Sequence, residues 1–203
     1  MKIGKYYILL VLILYLYIEF NAVKLKMTEI IDYSKKILLL GDPGVGKTSL
    51  VRKFVYDIFD DQYISTLGTK VTKKALVYNN LVKDSKIQLT LLIWDVMGQK
   101  DFAKFHQIAY TGCQGAFIVC DISHIETIKN WVVWKNEIFE SEGNLPIILI
   151  GNKNDLAAKN PEGVELFNSI TNRTNITKFL TSAVTGENVE KAFQMIGEVL
   201  IKD

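Results

Sequence analysis

Residues 37–51 read ILLLGDPGVGKTSLV, an apolar run that meets a glycine-rich turn and then a helical pattern. Four apolar residues ending at Gly41 predict a short buried β-strand. The spacing from Gly41 to Gly46, Lys47 and Thr48 fits the P-loop pattern, which requires a strand before the turn and a helix after it. Both are predicted here, so this stretch predicts a phosphate-binding turn at the end of a strand.

The predicted phosphate turn supplies three kinds of group to a ligand. Its glycines let the backbone point successive N–H groups at one anion, and the following helix adds its positive end. Lys47 would place a charge on the outer phosphates, and the Thr48 hydroxyl would bind Mg²⁺, which prefers oxygen ligands. ATPases use the same turn, so it does not select a base. The predicted nucleotide contacts in this stretch are Asp42, Gly44, Val45, Gly46, Lys47, Thr48 and Ser49.

A second motif, NKND at residues 152–155, follows another buried strand and can distinguish purine bases. The Asp155 carboxylate can accept hydrogen bonds from the ring N–H and the exocyclic amine of guanine, and adenine offers no such pair. Lys153 can lay its aliphatic stem along the base. Asn152 is suited to joining this loop to the phosphate turn. These residues predict a guanine site.

A third motif, TSA at residues 181–183, also follows a short predicted strand. The backbone N–H of Ala183 can meet the carbonyl oxygen of guanine, and Ser182 belongs to the same predicted base site. The tripeptide is weak by itself and gains meaning only beside the other motifs.

Strands and helices alternate from residue 35 onward. The predicted strands cover residues 37–40, 71–78, 87–94, 115–120, 146–150 and 178–181. The predicted helices cover residues 47–57, 124–140, 161–171 and 187–201. This order predicts an α/β fold of the P-loop NTPase type, with a six-stranded, mainly parallel sheet, one antiparallel strand and helices on both faces. Such sheets bind ligands beyond the carboxyl ends of their strands, where all the motifs lie.

Composition narrows the function further. The chain has 203 residues and is 49% hydrophobic, which is enough for a full core. Its net charge is +2, but residues 1–26 carry +3 and the remainder only −1, which argues against nucleic-acid binding. The two cysteines, Cys113 and Cys120, are predicted to be packed, reduced thiols. We therefore expect a cytoplasmic protein, at a membrane surface if its N-terminus inserts.

The motifs and their order resemble those of the Ras superfamily of small GTPases, over about residues 35–201. The P-loop is followed by DVMGQ at residues 95–99, then by the NKND and TSA motifs. Residues 62–68, QYISTLG, resemble the first switch of the Rab and Ran branches, and Trp94 and Trp134 also look Rab-like. The chain is thus similar to the Rab branch and its prokaryotic Rab-like relatives.

This resemblance implies roles for residues that spacing alone does not assign. Phe59 would contact the base edge-on, Gly98 would sense the terminal phosphate through its backbone, and Gln99 would orient the attacking water. The metal set implied in this way is Thr48, Thr66 and Asp95, with Thr66 as the mobile ligand. The catalytic set is Gln99, Lys47 and Thr66.

The resemblance also implies a molecular switch that binds GTP or GDP with Mg²⁺ and meets exchange factors, activating proteins and effectors through two switch loops. The only arginines are Arg52 and Arg173, neither predicted near the phosphates, so we expect slow hydrolysis that a partner accelerates. The sequence ends without a cysteine, so no prenyl anchor is expected. Two alternatives stay open: a membrane-anchored GTPase subunit resembling the β subunit of the signal-recognition-particle receptor, and a non-hydrolysing nucleotide-bound adaptor.

The N-terminus carries an apolar run at residues 6–18 that is flanked by lysines. As a helix, this run would span about 20 Å, short of the roughly 30 Å hydrocarbon core of a bilayer. Three interpretations remain: a membrane-inserting anchor, an apolar segment packed on the domain, or an upstream extension absent from the working protein, with Met27 as the natural start. The predicted organisation is an extension at residues 1–26 and a small GTPase domain at residues 27–203.

Overall fold

A computed structural model of the chain describes most of its residues. The described ranges are 10–19, 29–58, 69–79, 85–96, 108–172 and 176–202. The chain divides into two compact units. One comprises Met1–Asp32 and Val77–Gln88, and the other comprises Tyr33–Leu76 and Leu89–Asp203. Every described residue of the predicted nucleotide site lies in the second unit.

The described residues form an alternating series of strands and helices. The strands are β1 (Glu29–Leu40), β2 (Thr69–Asn79), β3 (Ser85–Val96), β4 (Gly115–Asp121), β5 (Ile147–Asn152) and β6 (Thr177–Leu180). The helices are α1 (10–19), α2 (Lys47–Tyr56), α3 (Ile125–Lys129), α4 (Trp131–Glu142), α5 (Pro161–Asn172) and α6 (Val189–Lys202). A 3₁₀ helix covers Asn154–Lys159 directly after the NKND motif begins.

The six strands form one sheet in the order β2-β3-β1-β4-β5-β6. One pair is antiparallel and the rest are parallel, which confirms the predicted fold class. The central strand β4 pairs in parallel with β1 and β5, and Asp121 at its end lies opposite Asn152. All seven residues of β4 are buried, as expected for a parallel strand covered on both faces. The motif loops after β1 and β5 therefore emerge at the same edge of the sheet.

Helices cover both faces of this sheet in the second unit. Neighbouring side chains on a strand point to opposite faces. On one face, Leu38, Ala116 and Leu149 pack in a core cluster with side chains of α3, α4 and α5, namely Ile128, Trp131, Trp134, Ile138 and Phe167. On the other face, Phe193 of α6 stacks on Phe54 of α2 at 3.9 Å between ring centroids and meets Phe117 edge-on at 4.8 Å. Both faces of the sheet are therefore packed against helices.

Two elements differ from their predicted bounds by more than one or two residues at an end. The first strand was predicted from its apolar run at residues 37–40, but β1 begins at Glu29. Its first half is mostly exposed, so its hydrophobic pattern gives no signal, and backbone pairing rather than burial extends it. The single helix predicted at residues 124–140 is interrupted at Asn130, which caps α4 and points its side chain at the phosphate turn.

The first unit contains α1, whose apolar side chains are largely exposed. Each residue from Leu10 to Ile18 shows between 51% and 65% of its surface. Within the described residues, no helix combines the length and the apolar content needed to cross a bilayer. In the second unit, Cys113 and Cys120 are buried and unpaired, as predicted.

Candidate functional site

The glycine-rich turn lies between the end of β1 and the start of α2, as predicted. Gly41 and Gly46 both adopt positive φ angles, of 137° and 98°. A Cβ at Gly41 would lie 2.2 Å from the carbonyl oxygen of Val119, and one at Gly46 would lie 2.3 Å from Asn152 Nδ2. No side chain fits at either position, so the turn can pass this close to β4 and β5 only with glycine.

Lys47 opens α2 and folds its side chain back over the turn. Its Nζ donates to the carbonyl oxygens of Gly41 and Asp42, at 2.8 Å and 3.0 Å. Only 7% of the residue is exposed. Burial lowers the pKa of Lys47 to about 8, although the nearby charges of Asp95 and Asp42 act to raise it. The ammonium therefore lies inside the turn, where the nearby carboxylates do not fully offset the cost of burying its charge.

The Asp42 carboxylate points toward the protein and joins the turn to α4. Asn130 Nδ2 donates to it at 2.7 Å, and Trp134 Nε1 donates at 2.9 Å. Asp42 was predicted as a nucleotide contact, and its carboxylate is engaged by these two donors. Trp134 was not predicted at this turn, because a contact across 92 residues leaves no local signal in the sequence.

Thr48 and Asp95 meet beside the turn. Thr48 Oγ1 donates to Asp95 Oδ2 at 2.5 Å. The Asp95 side chain is buried, and its Oδ1 has no hydrogen-bond partner among the described residues. Burial raises the pKa of Asp95, partly offset by the Thr48 hydrogen bond and the Lys47 charge. A hydroxyl and an incompletely satisfied carboxylate are oxygen donors of the kind that suit Mg²⁺, so these residues fit that ion.

Asn152 joins the phosphate turn to both base motifs. Its Nδ2 donates to the carbonyl oxygen of Val45 at 2.9 Å. Its Oδ1 accepts hydrogen bonds from Thr181 Oγ1 at 3.2 Å and from the Ala183 N–H at 3.3 Å. The residue is only 1% exposed, so water does not compete for these bonds. The link between the two loops that the sequence suggested is therefore present.

The Asp155 carboxylate is oriented by the third motif. Ser182 Oγ donates to Asp155 Oδ1 at 2.6 Å, and Ser182 is fully buried. Asp155 itself is exposed. The backbone supports the same arrangement, because the Asn154 N–H donates to the Thr181 carbonyl oxygen at 2.9 Å. A buried hydroxyl thus holds one carboxylate oxygen while the side chain stays accessible to a ligand.

Lys153 is held by Asp121, a residue that was not predicted to belong to the site. Its backbone has a left-handed conformation with φ of 65°, and its Nζ lies 2.6 Å from Asp121 Oδ2. Burial acts to raise the pKa of Asp121, but hydrogen bonds from Lys153 and Ser123 outweigh it and leave that pKa lowered. The signal that could have found Asp121 is its place at the carboxyl end of an apolar strand, shared with the motifs that were selected.

The remaining predicted residues divide into two groups. Gly44 is exposed in the turn with a φ of 76°, and Ser49 is part-buried in the first turn of α2. Four predicted residues lie outside the described part of the chain, namely Phe59, Thr66, Gly98 and Gln99. The structure therefore brings together the phosphate turn, Thr48 with Asp95, and the two base motifs.

Comparisons with known proteins agree with this arrangement. The family model described as "Ras family" matches residues 36–202. The chain is 36% identical to the Ras-related protein RABD2b of Arabidopsis thaliana, over 80% of this chain and 78% of that protein. It is 37% identical to the Ras-related protein RIC1 of rice, over 83% and 81%. It is 34% identical to the GTP-binding protein ypt3 of fission yeast, over 81% and 75%.

The fold and the glycine-rich turn define a P-loop nucleotide-binding protein. The chain belongs to the Ras family of small GTPases, and its relatives are of the Rab type. Membership implies a GTP-binding switch. The comparisons favour this reading over a resemblance to the β subunit of the signal-recognition-particle receptor.

Proposed function

We propose that this protein binds GTP and GDP with Mg²⁺ at the carboxyl edge of its sheet and hydrolyses the γ-phosphate of GTP slowly. The observation that carries the proposal is the buried amide of Asn152, which contacts the phosphate turn and the TSA motif at once. A ligand with phosphates at one end and a purine at the other would fit between loops held in this way.

The phosphates would lie against the N-terminus of α2. Backbone N–H groups between Gly44 and Ser49 would point at them, and the Lys47 ammonium would exchange its two carbonyl partners for phosphate oxygens. Burial disfavours the positive charge on Lys47, so a bound phosphate would stabilise that charge and would itself be bound more tightly.

The metal site would be formed by Thr48 and Thr66, with Asp95 behind them. Bound Mg²⁺ would neutralise charge that develops on the phosphate oxygens. Thr48 would turn its hydroxyl from Asp95 toward the ion, and the Asp95 carboxylate would hold the metal side of the site. The buried Oδ1 of Asp95, unpartnered among the described residues, supports this assignment.

The guanine would be read by Asp155, with Ser182 keeping the carboxylate in place. Lys153 would lie along one face of the base and Phe59 at its edge. The Ala183 N–H, which donates weakly to Asn152 at 3.3 Å, would meet the guanine carbonyl oxygen. Rejection of adenine would follow because the carboxylate would then face no pair of donors.

Hydrolysis would depend on Gln99, which would orient water toward the γ-phosphate. Lys47, Mg²⁺ and the turn amides would neutralise charge, and the arginine that accelerates related reactions would come from an activating protein. We expect an intrinsic rate of roughly 10⁻⁴ to 10⁻² per second, as in GTPases without such a partner.

Switching would follow from two residues that contact the γ-phosphate only in the GTP state. Loss of that phosphate would release Thr66 and Gly98, and with them two loops. Exchange factors, activating proteins and effectors would recognise those loops. The use of GTP and the buried free thiols support a cytoplasmic location.

A second element of the proposal is membrane association through the N-terminus. Nine consecutive apolar residues of α1 are more than half exposed, which is costly in water. A ten-residue helix is about 15 Å long, enough to enter one leaflet. The chain from Met1 should sediment with vesicles containing anionic lipid, and a chain beginning at Met27 should not. Equal sedimentation of the two would remove this element alone.

Single-turnover hydrolysis tests the enzymatic proposal. The full chain loaded with GTP should convert it to GDP and phosphate at the slow rate given above, and chelation of Mg²⁺ should abolish turnover. Gln99→Ala should reduce the rate at least about tenfold without loss of GTP binding. A rate near one per second would contradict the claim that hydrolysis is slow without an arginine from a partner. Bound GTP that never turns over would establish the adaptor alternative.

A further inference from the structure

Asp121 ends β4 at the centre of the candidate site, and none of the motifs contains it. Its side chain is 3% exposed, and it lies opposite Asn152 in the sheet register. Its carboxylate accepts hydrogen bonds from Ser123 Oγ at 2.6 Å and the Ser123 N–H at 2.8 Å, and lies 3.1 Å from His124 Nδ1. The fourth contact, at 2.6 Å, is the ammonium of Lys153.

These contacts constrain Lys153 at both ends. Its backbone is fixed in the left-handed region, which few residues with a side chain adopt, and its Nζ is fixed by a buried carboxylate. A lysine in solution keeps most of its rotamer freedom. Here the four methylenes between the two fixed ends have little freedom left. The side chain is 32% exposed, so one side of this stem remains open to a ligand.

We propose that Asp121 is a positioning residue of the guanine site, which holds the Lys153 stem in place before the nucleotide arrives. This inference rests on the proposed function. A stem that is ordered in advance costs no rotamer freedom when the base packs on it. The benefit should therefore appear as slower nucleotide dissociation, since affinity differences among variants of one site lie mostly in that rate.

A purely structural link between β4 and the loop after β5 would show the same contacts. The two roles differ in what they require of Lys153. A positioning role acts only through the lysine, so removing Asp121 should matter little once Lys153 has lost its ammonium. If Asp121 had only a structural role, its removal would have the same effect with or without the Lys153 ammonium. A double-mutant cycle separates the two roles.

The experiment uses the full chain loaded with a fluorescent GDP analogue and chased with unlabelled GDP. Asp121→Asn keeps the shape of the side chain and removes its charge, and should speed dissociation about tenfold, as expected for a lost hydrogen bond to a charged group. In a Lys153→Met background, the same change should alter the rate by less than about twofold. Equal acceleration in both backgrounds, or none in the parent, would overturn the inference.

A matched control is the pair formed by Lys129 and Glu126 on α3. Its atoms are 2.7 Å apart, as in the Lys153 pair, but both side chains are more than half exposed. Glu126→Gln should leave dissociation unchanged, because exposed pairs of this kind contribute little. Acceleration by this variant as large as that of Asp121→Asn would show a non-specific charge effect and contradict the inference.

Ser123→Ala carries the test if Asp121→Asn does not fold. It removes the 2.6 Å hydrogen bond to the carboxylate but leaves the lysine pair in place. We expect dissociation to become about two to three times faster, again only where Lys153 is present. No change in the parent would overturn the inference. A parent chain that binds no guanine nucleotide would instead refute the proposed function.

Discussion

Asn152 Nδ2 donates a 2.9 Å hydrogen bond to the carbonyl oxygen of Val45, across 107 residues of chain. The strands that carry the two loops are not neighbours, because β4 lies between β1 and β5. The loops meet over the end of β4, and the amide that joins them is buried. The phosphate turn and the base motifs thus form one hydrogen-bonded unit, and a substitution in one should alter ligand binding at the other.

Asn152→Ala should therefore impair both stability and nucleotide retention. The change removes three hydrogen bonds and leaves a buried carbonyl, hydroxyl and N–H without their partner. We expect the free energy of unfolding to fall by about 3 kcal/mol and GDP to dissociate at least about tenfold faster. Chemical denaturation and a fluorescent-nucleotide chase measure the two effects.

Asn154→Ala is the matched control, because Asn154 lies in the same motif but donates at the surface to Glu187. It should change the free energy of unfolding by less than about 0.5 kcal/mol. Similar losses in the two variants would mean that the amide link between the loops has no special role.

Gly46→Ala should break the same link from the other side. The new Cβ would lie 2.3 Å from Asn152 Nδ2, on a residue whose φ is 98°. We expect loss of nucleotide binding by at least about a hundredfold, because both the turn and the amide must move. Isothermal titration with GDP provides the measurement.

Gly143→Ala separates backbone strain from the clash. Gly143 also has a positive φ, of 78°, but a Cβ there would meet nothing within 4 Å. Its ψ of −165° places it in a region that essentially only glycine adopts, so the change should lower the free energy of unfolding by about 1–3 kcal/mol and leave GDP affinity intact. Equal GDP affinity in the two variants would contradict the assigned role of Gly46.

Asp155→Asn should change the base that the site selects. A carboxylate accepts from both guanine donors, whereas an amide presents a donor of its own to the exocyclic amine. We expect affinity for GTP to fall by about 10² to 10³, and affinity for xanthosine triphosphate, which has a carbonyl at that position, to rise. Competition between the two nucleotides gives the ratio. Unchanged preference for GTP would mean that Asp155 does not face the base.

Lys47 should make GDP binding depend on pH. Its pKa is about 8 in the structure, because it is buried. Bound phosphates would raise that pKa, so above pH 8 binding must take up a proton and affinity should fall as pH rises. We expect uptake of about 0.1 proton at pH 7 and about 0.8 at pH 8.5, measured by calorimetry in buffers of different ionisation enthalpy.

The control for this effect is Lys53→Met in the same helix. Lys53 pairs with Asp57 at 2.7 Å near the other end of α2, away from the turn. Its loss should leave proton uptake at the values of the parent chain. Uptake that stays flat between pH 7 and 8.5 in the parent would show that the phosphates do not meet Lys47.

Much of the fold could be predicted because burial and turn chemistry leave local signals. The run before Gly41 and the run at residues 115–120 in β4 gave strands where the structure has them. The first half of β1 could not be predicted, since backbone pairing holds a mostly exposed strand whatever its side chains. The break at Asn130 was missed for a related reason, because its side chain is bound by Asp42, 88 residues away.

The residues of the candidate site that belong to motifs could be predicted from the sequence. Spacing placed Lys47, Thr48 and Asn152 at one edge of the sheet, and they are there. The supporting contacts were not predictable, because they join residues distant in sequence. Asp121 is the main example: only the pairing of β4 with β5 places its carboxylate beside Lys153.

The central claim is that one site joins a phosphate turn to a guanine reader. Its most direct test is to purify the full chain in Mg²⁺, denature it and identify the nucleotide released. The account predicts GDP or GTP at close to one equivalent, displaced by added guanine nucleotides but not by ATP. Adenine nucleotide in that position, or a chain that binds no added GDP, would contradict it.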